Sequence, residues 1–150
     1  GQGEPAELWN MTREEYVEKA DPWPLNPNGE LFLGLKIEDR HCVENVDEIA
    51  TVPGIAFAEW GPGDMGMSYG LPDAHDPPYP AIMDEAREKI KTALKKNNKV
   101  FYSSWNDFSM NPEERIKYII EELGSSMIGG PDIVEMASAG RKLTNRKIPY

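Results

Sequence analysis

An alternation of short apolar runs with helical segments is the feature of this chain that most constrains its fold. Four apolar runs predict strands, at residues 31–37, 55–60, 100–103 and 125–128. Apolar periodicity predicts helices near residues 13–20, 43–51, 80–96 and 112–123, and a last one from about residue 131. Alternating strands and helices are typical of a parallel sheet with covering helices, which makes this an α/β chain.

The number of strand-helix units leaves two architectures open. The 150 residues suit one domain, in which residues 1–30 are predicted as a helix and linker and residues 31–150 as four strand-helix units. Four units are half of an eight-stranded barrel, and four strands alone cannot close one. Either the sheet is open and doubly wound, or a second polypeptide supplies the other half of a barrel.

Charge and motif content narrow the classes of function. The formal net charge of −10 disfavours nucleic acid or an anionic membrane as the main partner, because both require a basic face. The sequence has no apolar stretch long enough to span a bilayer and no signal-peptide pattern. Its single cysteine, Cys42, cannot form an internal disulfide, which favours a reducing, cytoplasmic setting. It also lacks a P-loop, a dinucleotide fingerprint, a zinc cluster and a Gly-x-Ser-x-Gly elbow.

Two acidic residues lie where predicted strands open into loops. Glu38 ends the first apolar run, and Asp64 follows the second run through the turn Gly61-Pro62-Gly63. Carboxylates at the mouths of neighbouring strands are natural ligands for a hard divalent cation, and in an α/β barrel that mouth holds the active site. Each also has a simpler interpretation, namely a polar strand end for Glu38 and ordinary turn chemistry for Asp64.

Other polar residues near these two have alternative interpretations as well. Arg40 can bind a substrate carboxylate and His41 can shuttle protons, but both also suit the exposed start of a helix. His75 is interpreted as a loop residue. Glu59 interrupts an apolar strand and needs a partner if it is buried, and Lys36 on the neighbouring strand is the expected one.

Three stretches of the sequence resemble the HpcH/HpaI aldolase family. They are LKIEDR at residues 35–40, ENVDEIATVPG at 44–54 and GPGDM at 61–65. Members of this family are metal-dependent aldolases that act on 2-oxo acids. The resemblance implies a (β/α)8 TIM barrel in which the four strands of this chain are the last four. It also implies assembly into homo-oligomers and a second chain that carries the first half of the barrel.

The resemblance also implies roles for individual residues. Glu38 and Asp64 would bind the divalent cation, Mg²⁺ or Mn²⁺ with Co²⁺ also used, and the turn Gly61, Pro62, Gly63 and Asp64 would hold the carboxylate of the 2-oxo acid. The cation would act as a Lewis acid that stabilises the enolate formed when the carbon–carbon bond breaks or forms. The general base and the catalytic arginine are expected outside this chain, because Arg40 and His41 do not match those family positions.

Two other functions remain open on the same barrel. The citrate lyase β and malyl-CoA lyase group uses a similar Glu and Asp pair, although the Gly-Pro-x-Asp turn favours the aldolases. A non-catalytic half-barrel that serves as a structural or regulatory subunit is the third hypothesis. Glu59 and the Met65-Gly66 pair, which depart from the usual family pattern, leave room for it.

Overall fold

The sheet of this protein is parallel and three-stranded. A computed structural model describes residues 3–147. Strands β1 (Leu33–Lys36), β2 (Ile55–Trp60) and β3 (Val100–Ser103) lie side by side in chain order. The register pairs Lys36 with Glu59 and Glu59 with Tyr102. The predicted parallel α/β fold is therefore confirmed.

The described part of the chain contains eight α-helices, and the starts of several are encoded locally. Thr12 and Glu15 form the reciprocal capping box expected before the second helix, with distances of 3.1 and 2.8 Å. Asn111 caps the seventh helix through the amide of Glu114. The helices are α1 Gly3–Leu8, α2 Arg13–Lys19, α3 Arg40–Glu44, α4 Val46–Ile49, α5 Pro62–Ser68, α6 Ala81–Lys96, α7 Pro112–Lys117, which continues as a π-helical turn at Tyr118–Glu122, and α8 Ile133–Thr144.

The main core of the described residues lies on one face of the sheet. Side chains alternate along each strand, so Ala58, Trp60 and Phe101 point to the same side and pack on helix α6. The opposite face carries Gly34, Lys36, Phe57, Glu59, Val100 and Tyr102, none of which is fully buried. We call this the open face.

The predicted fourth strand is wrong. Residues 125–128 run beside β3 but form no strand, and a single backbone hydrogen bond, from Ser126 N–H to the Phe101 carbonyl at 3.0 Å, joins them to it. The Ser125 hydroxyl accepts the Ser103 N–H at 2.9 Å and donates to the Met127 carbonyl at 2.8 Å. The Ser125 hydroxyl therefore replaces the backbone carbonyl that would accept the next hydrogen bond in a regular strand pair.

Three helix predictions also need correction. Residues 62–68 form helix α5 where only a turn at residues 61–63 was expected, because Pro62 suits the first turn of a helix. The helix predicted near 43–51 is divided at Asn45 into α3 and α4. Helix α1 was not predicted at all. No helix in the described residues is long and apolar enough to cross a membrane.

Candidate metal centre

Glu38 lies at the carboxyl end of β1, as the sequence predicts. The Ile37 N–H donates to the Glu59 carbonyl at 2.8 Å, which extends the pairing with β2 by one residue and fixes where Glu38 begins. The Glu38 side chain is only 16% exposed. Its Oε1 atom lies against Gly61, in the space that a side chain at position 61 would fill. Glycine at position 61 is therefore what allows the carboxylate to sit between the ends of β1 and β2.

Asp64 occupies the first turn of helix α5 and is exposed. Gly61 is the N-cap and offers no side-chain cap, while Pro62 has no N–H. The amides of Gly63 and Asp64 have no acceptor within the helix, because the first four N–H groups of a helix lack one. The space beside the Gly63 Cα is open. The segment predicted as a turn is thus a helix start with unpaired amides.

Lys36 joins Glu38 and Glu59 on the open face. Its Nζ atom lies 3.1 Å from Glu38 Oε1 and 4.0 Å from Glu59 Oε1. Glu59 is 17% exposed, whereas Lys36 is 60% exposed. The expected pairing of Glu59 with Lys36 is confirmed, and the register of β1 on β2 explains it.

The four charged groups here influence one another. Burial raises the pKa of Glu38, the hydrogen bond and charge of Lys36 oppose that rise, and the negative charges of Asp64 and Glu59 add to it. The hydrogen bond to Glu38 raises the pKa of Lys36, and the three carboxylates contribute further. Three carboxylates and one ammonium give the cluster a formal net charge of −2.

The donor set fits a hard divalent cation. Within residues 3–147 no group of three or more His, Cys, Asp or Glu side chains is arranged to hold a metal ion. Mg²⁺ commonly needs only one or two protein carboxylates, because water and substrate complete its coordination. Carboxylate oxygens also suit Mg²⁺ and Mn²⁺ better than thiophilic metals. Glu38, which rests on Gly61, and Asp64 are therefore residues that can hold such a cation.

The other candidate residues make their contacts elsewhere. His41 lies in α3, exposed, with Nδ1 3.5 Å from Glu44, and the side chain of Arg40 is also exposed. These positions agree with the simpler interpretation of an exposed helix start. His75 Nδ1 lies 2.8 Å from Asp76, whose other oxygen accepts from Trp105 Nε1 at 3.1 Å. That contact ties the loop before α6 to the segment after β3.

Tyr102 is a residue of the open face that the sequence interpretation missed. Of the aromatic pair Phe101-Tyr102, only Phe101 is buried in the core. Tyr102 lies on the other face, in register with Glu59, and its hydroxyl packs on Gly129. Burial, with the charge of Glu59, raises the pKa of Tyr102. Strand alternation was the signal that would have separated the two residues.

The fold and the site together define a class of protein. It is a parallel α/β protein with carboxylates gathered at the carboxyl ends of its strands, where active sites of such folds lie. Residues 5–115 match the model of the family described as HpcH/HpaI aldolase/citrate lyase. The chain belongs to this family.

Individual relatives agree with the family assignment. A 2-keto-3-deoxy-L-rhamnonate aldolase of Klebsiella pneumoniae is 36% identical over 78 residues, which are 51% of this chain and 29% of that protein. The structure of a citrate lyase from Burkholderia xenovorans is similar with a TM-score of 0.62 at 19% identity, over 73% of this chain and 38% of the other. Macrophomate synthase gives a TM-score of 0.54 at 26% identity, over 81% and 40%. The chain thus spans less than half the length of these relatives.

Proposed function

We propose that this chain is the C-terminal half of a (β/α)8 barrel, in which residues 125–128, beside β3, occupy the position of the fourth strand. Its strands follow one another in chain order and its core packs on one face, whereas a doubly wound sheet carries helices on both faces. Parallel sheets are normally covered on both sides, so the open face calls for a second layer. In a barrel the open face becomes the interior, and strands from a second chain pair with the free edge of β1.

The proposed activity is that of a metal-dependent aldolase, a carbon–carbon lyase acting on a 2-oxo acid. Family membership and the name of the curated relative support this class of reaction. The observation that carries it is the Glu38 carboxylate packed on Gly61 at the strand mouth, with Asp64 in the helix that starts there. In this proposal Glu38 and Asp64 hold Mg²⁺ or Mn²⁺, with Co²⁺ as a further candidate.

The residues of this chain would bind and orient rather than transfer protons. The unpaired amides of Gly63 and Asp64, at the positive end of a short helix, suit the carboxylate of the 2-oxo acid. Because Gly61 has no side chain, the Glu38 carboxylate can pack against it, and Pro62 fixes the start of helix α5. When bound, the cation supplies Lewis-acid stabilisation of negative charge on a keto oxygen. The general base belongs to the other half of the barrel.

Substitution of the two carboxylates in the complete protein tests this function. Glu38→Gln and Asp64→Asn should each lower kcat/KM for 2-oxo acid cleavage by roughly 100-fold, because each removes a charged ligand. Glu44→Gln is the matched control, since Glu44 is an exposed carboxylate of α3 whose one ion pair within residues 3–147 is with His41 at 3.5 Å. Full activity in both site variants, measured as release of pyruvate or another 2-oxo acid, would sink the assignment.

The partner chain, the oligomeric state and the cellular location are also proposals. We propose that a chain bearing the first four strands completes the barrel, that complete units form a homo-oligomer, and that the protein works in the cytoplasm. Native mass spectrometry of protein purified from its own cells tests the first two points. A mass of this chain alone, with no partner polypeptide and no covalent extension, contradicts the half-barrel.

The family description, which names citrate lyases beside aldolases, supports one second candidate. A citrate lyase β or malyl-CoA lyase type of enzyme would use the same carboxylate pair to cleave a carbon–carbon bond of a thioester substrate. Cleavage of an acyl-CoA substrate at a higher kcat/KM than that of simple 2-oxo acids selects this candidate. A complete protein that binds no Mn²⁺ at micromolar concentration and cleaves neither substrate is instead a structural subunit.

A further inference from the structure

Lys36 shares its ammonium group between two carboxylates of the open face. Its Nζ atom lies 3.1 Å from Glu38 Oε1 and 4.0 Å from Glu59 Oε1. The parallel register sets Lys36 directly opposite Glu59, and Glu38 follows two residues later on the same side of the strand. Lys36 is the only cationic side chain among the described residues of this face.

The Lys36 ammonium contacts the Glu38 oxygen that a bound metal cation would also use. The Glu38 oxygen that it contacts is also the oxygen packed on Gly61, so its position is fixed on one side by backbone and on the other by Lys36. The lysine side chain is 60% exposed and has a flexible four-carbon stem, so it can leave without disturbing β1. Glu59 offers it a second carboxylate to move to.

The following inference rests on the proposed metal-binding role of Glu38. We propose that Lys36 is an internal counter-ion that neutralises Glu38 and Glu59 in the metal-free protein and gives up Glu38 Oε1 when a divalent cation binds. Lys36 is then a positioning residue that acts through Glu38 and touches neither substrate nor reacting atoms. Because three carboxylates face one ammonium, its removal leaves three negative charges unbalanced. The same removal ends the competition for the Glu38 oxygen.

Removal of the charge therefore has two opposite effects. In the complete, metal-stripped protein, Lys36→Met should lower the melting temperature by several degrees, because like charges repel without their counter-ion. The same variant should bind Mn²⁺ about tenfold more tightly by electron paramagnetic resonance titration, since a competing positive charge is gone. Lys36→Arg keeps the charge and should leave the Kd within about threefold of the unmodified protein. A purely structural lysine would not tighten metal binding when lost.

Lys117 provides a matched control. It lies on α7 with an exposure of 65%, close to that of Lys36, and its Nζ atom is 3.9 Å from Glu121 in the π-helical turn that continues α7. Lys117→Met should change neither the melting temperature of the metal-free protein nor the Kd for Mn²⁺. Equal shifts in both variants would mean that the effect is a general one of net charge, and they overturn the proposal.

Two further results separate this proposal from the proposed function. If Glu38→Gln abolishes Mn²⁺ binding but Lys36→Met weakens it or leaves it unchanged, the counter-ion is overturned and the metal site stands. If Glu38→Gln keeps Mn²⁺ binding, both are overturned. Should Lys36→Met fail to fold, the Nζ signal of Lys36 in a ¹⁵N-lysine spectrum, assigned with Lys36→Arg, must shift when Mg²⁺ is added. An unshifted signal at saturating Mg²⁺ overturns the counter-ion.

Discussion

The Glu38 carboxylate rests on the Cα of Gly61, in the space that any other residue at position 61 would fill with its side chain. This contact joins the end of β1 to the start of helix α5, two segments that are far apart in the sequence. It also explains why glycine is required at position 61 without any need for an unusual backbone angle, since φ there is −103°. The geometry of the candidate site therefore depends on a missing side chain as much as on a carboxylate.

Substitution of Gly61 should disturb the site without unfolding the protein. A Cβ atom at position 61 would displace the Glu38 carboxylate, and we expect Gly61→Ala to weaken Mn²⁺ binding by roughly 10- to 100-fold. Gly63→Ala is the control, because a Cβ there meets no atom within 4 Å. Calorimetric Mn²⁺ titration of both variants checks this. Equal Mn²⁺ affinities for the two variants would show that metal binding does not depend on the contact of Glu38 with Gly61.

The thiol of Cys42 should be unusually unreactive. Its hydrogen bond to Asp39, together with burial, raises the pKa of Cys42 to about 11. Only the thiolate is nucleophilic, so the rate of alkylation by iodoacetamide should rise with a midpoint near that pH, well above the ordinary cysteine value. Asp39→Asn removes the charge but keeps a residue that can cap α3, and it should lower the midpoint. A midpoint at the ordinary value in the unmodified protein contradicts the Asp39 contact.

The same shift has a consequence for stability. A thiol whose pKa is higher in the folded state favours folding while it stays protonated in the folded protein. That contribution is complete below the unfolded pKa and disappears as the pH rises through about 11. In Cys42→Ala, the free energy of unfolding, measured by circular dichroism, should therefore fall less steeply with pH between the ordinary cysteine pKa and about 11. An unchanged pH profile in that variant excludes a role for the thiol.

The ion pair of Arg115 with Asp132 should hold the last helix against α7. Arg115 is 2% exposed, and its guanidinium lies 5.1 Å from the centre of the Phe108 ring. Arg115→Met leaves Asp132 without its partner, and we expect a loss of about 2–3 kcal/mol, discounted because Asp132 is 28% exposed. Urea unfolding of the complete protein measures it.

A surface pair on the same two helices serves as the control for that experiment. Lys142 and Glu113 lie 4.0 Å apart and are both more than 80% exposed. Lys142→Met should therefore produce no measurable change in unfolding. If the Arg115 and Lys142 variants unfold at the same urea concentration, the buried pair does not stabilise the C-terminal helix.

Buried strands and capped helices were readable from the sequence because their causes are local. The bounds of β2 and β3 follow from apolar runs that are buried on one face of the sheet, and the capping box at Thr12 marks the start of its helix. The fourth strand failed because the Ser125 hydroxyl, rather than a backbone carbonyl, accepts the Ser103 N–H. Strand propensity does not predict that a side chain will replace a backbone group as the hydrogen-bond acceptor.

The candidate site was predictable only in part for a similar reason. The place of Glu38 at a strand end and the pairing of Lys36 with Glu59 follow from strand alternation and are confirmed. Asp64 was expected in a turn, yet it lies in the first turn of a helix that begins at Pro62, and the contact of Gly61 with Glu38 joins two segments that are distant in sequence. The metal-binding role of the two carboxylates stays a prediction.

Mn²⁺ titration of the complete protein, followed by electron paramagnetic resonance, tests that role most directly. We expect one tightly bound Mn²⁺ ion for each copy of this chain, displaced by excess Mg²⁺, and its loss in both Glu38→Gln and Asp64→Asn while Glu44→Gln binds normally. Mn²⁺ binding that survives in both site variants would contradict the assignment of Glu38 and Asp64 as the metal ligands.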